Sequence, residues 1–221
     1  MKKTILVLFA VILAGTLSAQ NDRATFGLKG NVSKVIKKGD AESFGGFWDG
    51  FDLEFSPTGM LSKIDGKKVK KETEGNEVYY TVDFEDEEYS TTLVFYRTPK
   101  GRISTYYFDD GGMIGEDTVI YDSKGRVYMI KSFAYIEAGY NPETGKDEDG
   151  RTEESGSVKF YYDENDNVIK TVQHYQGSNH SITMTYNYKS FDSFGNWLVR
   201  VVNCEAYEIK DQVDKRTIEY Y

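Results

Sequence analysis

One seven-residue frame constrains this chain more than any other feature: an aromatic residue, Asp, two variable residues, Gly, one further residue, and a return to apolar. Tyr121-Asp122-Ser123-Lys124-Gly125-Arg126-Val127 sets it out, and Phe108-Asp109-Asp110-Gly111-Gly112-Met113-Ile114 and Phe191-Asp192-Ser193-Phe194-Gly195-Asn196-Trp197 keep the spacing. Phe55-Ser56-Pro57-Thr58-Gly59-Met60-Leu61 has Ser for Asp, and Tyr162 to Val168 keeps the frame with Asp166 at the Gly position. Tyr96 to Ile103, with Gly101, carries one extra residue. Asp at the first corner accepts hydrogen bonds from backbone N–H groups just ahead of it, and Gly takes the positive φ of a tight reversal. Each copy is therefore a turn between two strands. The turn set is Gly59, Gly101, Asp109, Gly112, Asp122, Gly125, Asp163, Asp192 and Gly195.

The residues between the turns read as strands. With 18 Tyr, 13 Phe and only 3 Pro, the composition suits pleated, half-buried surfaces, and no helical periodicity follows the first twenty residues. In Ser181 to Phe191, Ile182, Met184, Tyr186 and Tyr188 share one face while Thr183, Thr185, Asn187 and Lys189 share the other. Arg126 to Ile136 has apolar residues in both phases, so part of it is expected to be covered on two sides. Asn196 to Glu208 reads as one strand and Arg216 to Tyr221 as the last. Glu137 to Ser155, with Pro142, three Gly and seven acidic residues, reads as a long acidic loop. The expected fold is all-β: a single domain from residue 20 to 221, an antiparallel meander of β-hairpin repeats forming a curled sheet or barrel-like roll.

Met1-Lys2-Lys3, the apolar run Thr4 to Leu17 and the small-residue exit Ser18-Ala19-Gln20 have the form of a secretory signal peptide cleaved after Ala19. The expectation is a secreted protein, periplasmic or extracellular, with no integral membrane segment in the mature chain. Loss of Lys2 and Lys3 takes the formal charge from −9 to −11, which makes nucleic acid a poor partner. Cys204 stands alone, so no disulfide framework exists, and stability must come from burial.

Phe26-Gly27-Leu28-Lys29-Gly30-Asn31-Val32-Ser33-Lys34-Val35, the repeated Tyr-Asp-x-x-Gly, the Gly195-Asn196-Trp197 copy with Arg200 after it, and the ending Arg216-Thr217-Ile218-Glu219-Tyr220-Tyr221 resemble secreted Bacteroidetes proteins with YD (RHS-like) repeats. The resemblance implies antiparallel hairpin repeats and a cell-envelope location. It implies no activity. The copies are unevenly spaced, which departs from a uniform solenoid.

No catalytic motif stands out. There is no Gly-x-Ser-x-Gly elbow, and 36 acidic residues make carboxylate pairs uninformative, so a glycan-acting hydrolase would need a carboxylate site that the pattern does not reveal. His174 and His180 flank the Gln176–Asn179 turn, where they could supply half of a zinc or copper site or simply lie exposed. Asp163, Asn165 and Asn167 alternate like the start of a calcium loop, but Val168 holds the place of the bend-forming Gly and the same residues serve a hairpin turn. No cofactor is called for. Phe44, Phe47, Trp48 and Phe51 cluster in a Gly-rich stretch as candidate groove-lining rings, with core packing as the alternative. The reading is a non-catalytic binding or structural module of the envelope, with a glycan or an envelope protein as partner. A lipid-spanning barrel fails at the last strand, where Thr217 and Glu219 share the face of Tyr221.

Overall fold

The computed structural model describes residues 22–38, 50–85, 90–109, 115–136, 139–141, 146–148 and 150–221. The leader, Phe44, Phe47, Trp48 and Gly112 lie outside the described residues. The chain is nearly all antiparallel strand, and one 15-stranded meander curls until it is nearly closed into a barrel.

The first strands are β1 (Val32–Lys38), β2 (Leu53–Phe55), β3 (Leu61–Ile64), β4 (Lys67–Lys68) and β5 (Lys70–Glu74). Then come β6 (Glu77–Glu85), β7 (Ser90–Arg97), β8 (Ile103–Asp109), β9 (Gly115–Tyr121) and β10 (Val127–Ile136). After a separate pair, β11 (Gly139–Asn141) with β12 (Lys146–Glu148), the sheet continues with β13 (Arg151–Tyr162) and β14 (Val168–Tyr175). It ends with β15 (Ser181–Phe191), β16 (Trp197–Cys204) and β17 (Ile209–Tyr220). The first strand pairs with the last, β1 with β17, and the two edges of the sheet are β4 and β5. Only Val69 separates those edges, and its N–H bonds to Ser62 O at 2.9 Å, so the chain itself bridges the gap.

A β-bulge accompanies each of the five described turns of the frame, and the bulge sets which side chains point inward. Across the Asp122 turn, Tyr121 pairs with Val127 and Ile120 with Met129, leaving Tyr128 as the extra residue. Val127 and Ile130 are therefore both buried, and Tyr128 faces solvent. This corrects the expectation of a strand covered on both faces: the apolar pattern changes phase at the bulge. The same shift leaves Ser62, Ser104, Ile169 and Leu198 as the extra residues in β3, β8, β14 and β16.

Three further expectations are corrected. Arg97, not Tyr96, takes the aromatic position opposite Ile103, so the Thr98 copy keeps the seven-residue frame without an insertion. The 137–155 stretch is not one loop: β13 begins at Arg151 opposite Ile136, and Phe133 pairs with Glu154, because backbone pairing along β10 needs no apolar side chain. The 196–208 strand ends at Cys204 in a 3₁₀ turn, Glu205–Tyr207, closed by Glu208 at φ 56°. A non-Gly residue holds the reversal there, so no Gly signals it.

The inner face is apolar. Ile64, Val82, Leu93, Phe95 and Ile103 belong to a large cluster on the β1–β10 side, while Met184, Tyr186, Val202 and Cys204 form a smaller one in β15 and β16. Cys204 is 1% exposed, as its reading as a small buried residue requires. One helical turn, α1 (Asp22–Thr25), stops the end of the barrel that carries the turns. Its Asp22 carboxylate takes Arg97 Nη2 and the Leu61 N–H, both at 2.6 Å, and Arg23 donates to Val32 O at 2.6 Å and Ser56 O at 2.7 Å. Losing one partner of such a buried pair costs roughly 3–5 kcal/mol.

Candidate functional site

Five turns, at Ser56, Thr98, Asp122, Asp163 and Asp192, repeat one hydrogen-bond pattern. At Asp122 its own N–H bonds to Arg126 O at 2.9 Å, Gly125 N to Asp122 O at 2.9 Å, and the side-chain Oδ1 accepts Arg126 N at 2.9 Å. Asp163 accepts Asn165 N at 2.9 Å and Asn167 N at 2.8 Å through Oδ1, and Asn167 Nδ2 at 3.0 Å through Oδ2. Desolvation pushes the carboxyls of Asp122, Asp163 and Asp192 up, but these donors outweigh it and hold each below the ordinary range.

Neighbouring turns are tied along this rim. Arg102 donates to Gly125 O at 3.0 Å, and Arg126 and Lys124 reach Asp166 Oδ1 at 2.5 and 3.1 Å. After four of these five turns, the carbonyl of the residue that opens the next strand receives its own side-chain donor. Tyr121 OH bonds to Ile103 O, Tyr162 OH to Val127 O and Tyr188 OH to Val168 O, each at 2.6 Å, and Arg216 Nε bonds to Trp197 O at 2.7 Å. Burial pushes the Tyr121 hydroxyl up to about 12.

At the Asp192 turn this rim is joined to the start of the chain. Asn196, 1% exposed, accepts Lys29 N at 2.7 Å and donates to Lys29 O and to Tyr220 OH, both at 2.8 Å. Tyr220 OH bonds in turn to the Asp192 carboxylate. The Phe194 ring lies 4.6 Å from Tyr220 and covers Gly30, where a Cβ would sit 2.9 Å from Phe194 Cδ1. Thus 26–35, 191–200 and 216–221, distant in sequence, meet at one place.

Behind that junction the lumen holds a cavity of about 310 Å³. Phe26, Leu28, Phe51, Leu53, Phe160 and Val168 form much of its wall, with Tyr162, Tyr188 and Trp197. Arg216 and Arg200 lie 3.9 and 4.4 Å from the Trp197 ring centroid, so guanidinium groups occupy the surface that a sugar would stack on. Arg200 is also held by Asp214, at 2.9 and 2.8 Å to Oδ2. Asp214 Oδ1 is buried and has no hydrogen-bond partner among the described residues. Lys29, Lys37, Lys38, Arg126 and Lys215 also line the cavity, against the carboxylates of Asp166 and Asp214. In a chain of net charge −9, this is a local reversal of sign.

The sequence candidates fall in different places. Phe51 lines the cavity and lies 6.0 Å from the Phe84 ring; the three other proposed rings are outside the described residues. Asp163, Asn165 and Asn167 sit together in one turn, where the Asp163 carboxylate is taken up by the donors just named. His174 pairs with Ser181 in the β14–β15 register, and both histidines are exposed. Asp109 ends β8 rather than standing in a described turn. Arg200, Asp214 and Arg216 as an inward-facing charged group were missed. Their signal was present in β17, where Asp214, Arg216, Ile218 and Tyr220 share one phase, a charged pair on the apolar face.

No family model matches the chain, and no curated protein does. Among solved structures, a porin-like protein from Bacteroides uniformis ATCC 8492 is similar at 13% identity and a TM-score of 0.40, over 86% of this chain and 99% of that one.

Chemically, the cavity offers apolar surface and cations. Its two carboxylates are each ion-paired, Asp166 to Lys124 and Arg126 and Asp214 to Arg200. Asp166 is held below the ordinary range by Lys124, against desolvation and with help from Arg126. A glycosidase acid needs the opposite shift. Among the described carboxyls, Asp65 is pushed up, by desolvation and by Asp52, and it stands in the exposed β3–β4 turn away from the cavity lining.

Proposed function

We propose that this protein is a non-catalytic binding module of the bacterial cell envelope, secreted to the periplasm or beyond, whose ligand sits in the luminal cavity. The observation that carries the reading is a preformed, partly open, largely apolar space with a few convergent polar groups, the usual character of a small-molecule site. Its volume of about 310 Å³ suits a small ligand or one end of a larger one, such as the terminus of a glycan or a side chain of an envelope protein.

The envelope location rests on the Met1–Ala19 leader pattern and on the resemblance to secreted proteins with YD repeats. No helix among the described residues is long and apolar enough to cross a membrane. The wall pattern also favours a barrel in water: Thr183, Thr185, Asn187 and Lys189 are exposed outside while Met184 and Tyr186 are buried inside. A lipid-facing wall requires apolar residues outside.

The test is native mass spectrometry of protein recovered from the envelope, wild type against Val168→Phe, which fills the cavity. The expected result is a mature chain beginning near Gln20, a bound small-molecule mass on the wild type, and loss of that mass in the variant. A folded wild type that carries nothing and captures nothing on a glycan array would leave a purely structural role. Equal loading of the variant would move the site elsewhere.

A further inference from the structure

On the outside of the barrel, β10 and β13 to β16 differ in charge from the rest of the chain. The sequence holds 36 acidic and 27 basic residues, yet β10, β14, β15 and β16 contain no Asp or Glu. In β13 both acidic residues are ion-paired, Glu153 with Arg151 and Glu154 with Lys131. On the β9 side, Glu116 stands opposite Phe133, four residues along β10 from Met129. At the strand ends, Asp163 and Asp192 are taken up by their own turns and Asp166 by Lys124 and Arg126, while Glu164 is exposed in the β13–β14 turn. Lys159, Lys170 and Lys189 form no ion pair among the described residues. Alternation directs Lys159 and Lys170 outward, since Phe160 lines the cavity and Thr171 is buried.

Tyrosine rings hold two of these ammonium groups. Lys159 Nζ lies 5.1 Å from the Tyr128 ring centroid and 5.4 Å from that of Tyr161, and Lys170 Nζ lies 4.2 Å from Tyr161. Register extends the row, pairing Lys170 with Thr185 and Thr185 with Asn203. That end opens into a shallow groove lined by Ser181, Thr183, Thr185, Asn203, Glu205 and Ala206, its one carboxylate standing in the 3₁₀ turn beyond β16. Cations thus give way to hydroxyls and an amide along one track over five adjacent strands. At about 4.8 Å per strand the track spans about 19 Å.

From this charge complementarity we infer that the outer wall of β10 and β13 to β16 binds a linear acidic polysaccharide, with carboxylates on Lys159 and Lys170 and hydroxyls on Thr183, Thr185 and Asn203. The surface is open, so each ion pair on it is weak and screened by salt. A small ligand would gain little there, whereas a chain engages several groups in succession and each contact raises the effective concentration at the next. Nucleic acid fits less well, because a phosphate backbone needs a denser basic cluster than three free lysines on a chain of net charge −9. This surface is on the opposite face of the wall from the luminal cavity and does not depend on it.

The test is calorimetric titration at low salt with polygalacturonate and its uncharged counterpart, fully methyl-esterified polygalacturonate. Wild type is expected to bind the acid about tenfold more tightly than the ester, and Lys159→Gln/Lys170→Gln to lose that advantage, the effect of two exposed ion pairs. Thr185→Asp, which sets a carboxylate in the row and removes no cation, should also weaken binding of the acid. Val168→Phe, which fills the cavity, should bind the acid as wild type does. Far-UV circular dichroism checks that each variant is folded. No binding of the acid, equal affinity for acid and ester, or unchanged binding by both surface variants overturns the inference. Lost binding in Val168→Phe would overturn it by moving the polysaccharide to the cavity. A thymidine oligonucleotide bound as tightly as polygalacturonate would overturn the polysaccharide assignment in favour of nucleic acid.

Discussion

Replacing Asn196 by Ala isolates the junction between the two ends of the chain. The side chain makes three bonds outside its own turn: from Lys29 N, to Lys29 O and to Tyr220 OH. A neutral hydrogen bond contributes about 1 kcal/mol net, and a stranded buried group costs about 1–3 kcal/mol. Lys29 is only half-buried, so water recovers part of the loss and the total stays near the lower end, about 3 kcal/mol. For a chain of this size that is roughly 6–12 °C in Tm. Asn167 is the control, since it holds the same position in the preceding turn and its Nδ2 reaches only Asp163, at 3.3 and 3.0 Å. Asn167→Ala should cost about 1 kcal/mol, or roughly 2–4 °C. Thermal melts followed by far-UV circular dichroism, with urea titrations to check a common slope, measure both. Equal shifts for the two variants would refute the claim that Asn196 joins the chain ends, and would reduce it to a turn residue.

Gly125→Val should be strongly destabilising by urea titration, because φ there is +84° and a Cβ would meet Arg102 Nη1 at 2.2 Å; an unchanged midpoint would refute the turn geometry. Stability should hold from neutral pH down to about 4 and fall below it, since the depressed carboxyls of Asp122, Asp163 and Asp192 stabilise the fold only while ionised. Asp192→Asn should flatten that acid limb in urea midpoints taken across pH. At the alkaline end, the bond from Tyr121 OH to Ile103 O should persist to pH 10 and be lost as pH rises toward 12, checked by the ultraviolet absorbance of tyrosinate in wild type against Tyr121→Phe. Tyr162→Phe, which leaves Val127 O without its donor beside the bulge, should cost about 1 kcal/mol in the same urea assay.

Much of the architecture was legible in the chain because its causes are local. A turn with Asp at one corner and Gly at positive φ depends on neighbouring residues alone, and so Tyr121 to Val127 and Phe191 to Trp197 could be read without the fold. Alternation along Ser181–Phe191 likewise identifies its buried face, since successive side chains of a strand must point oppositely. The bulge residues were not legible: Tyr128 and Ile169 look like ordinary strand positions, and only the pairing of Met129 with Ile120 and of Lys170 with Tyr161 across the turns reveals them as extra. The Glu208 reversal escaped for a related reason, as a non-Gly residue takes positive φ there and leaves no mark in the composition.

The cavity belongs to the tertiary structure altogether. That β1 pairs with β17, closing a chain whose other strands all follow in sequence-local hairpins, is decided by which edges the curled sheet brings together. Only that closure places Lys29 on Asn196, sets Lys37 opposite Arg216, and brings Arg200, Asp214 and Arg216 to one cavity. A sequence records which residues carry charge and aromatic surface. Whether like charges from distant strands are held side by side over an apolar wall depends on long-range register, which no local pattern encodes.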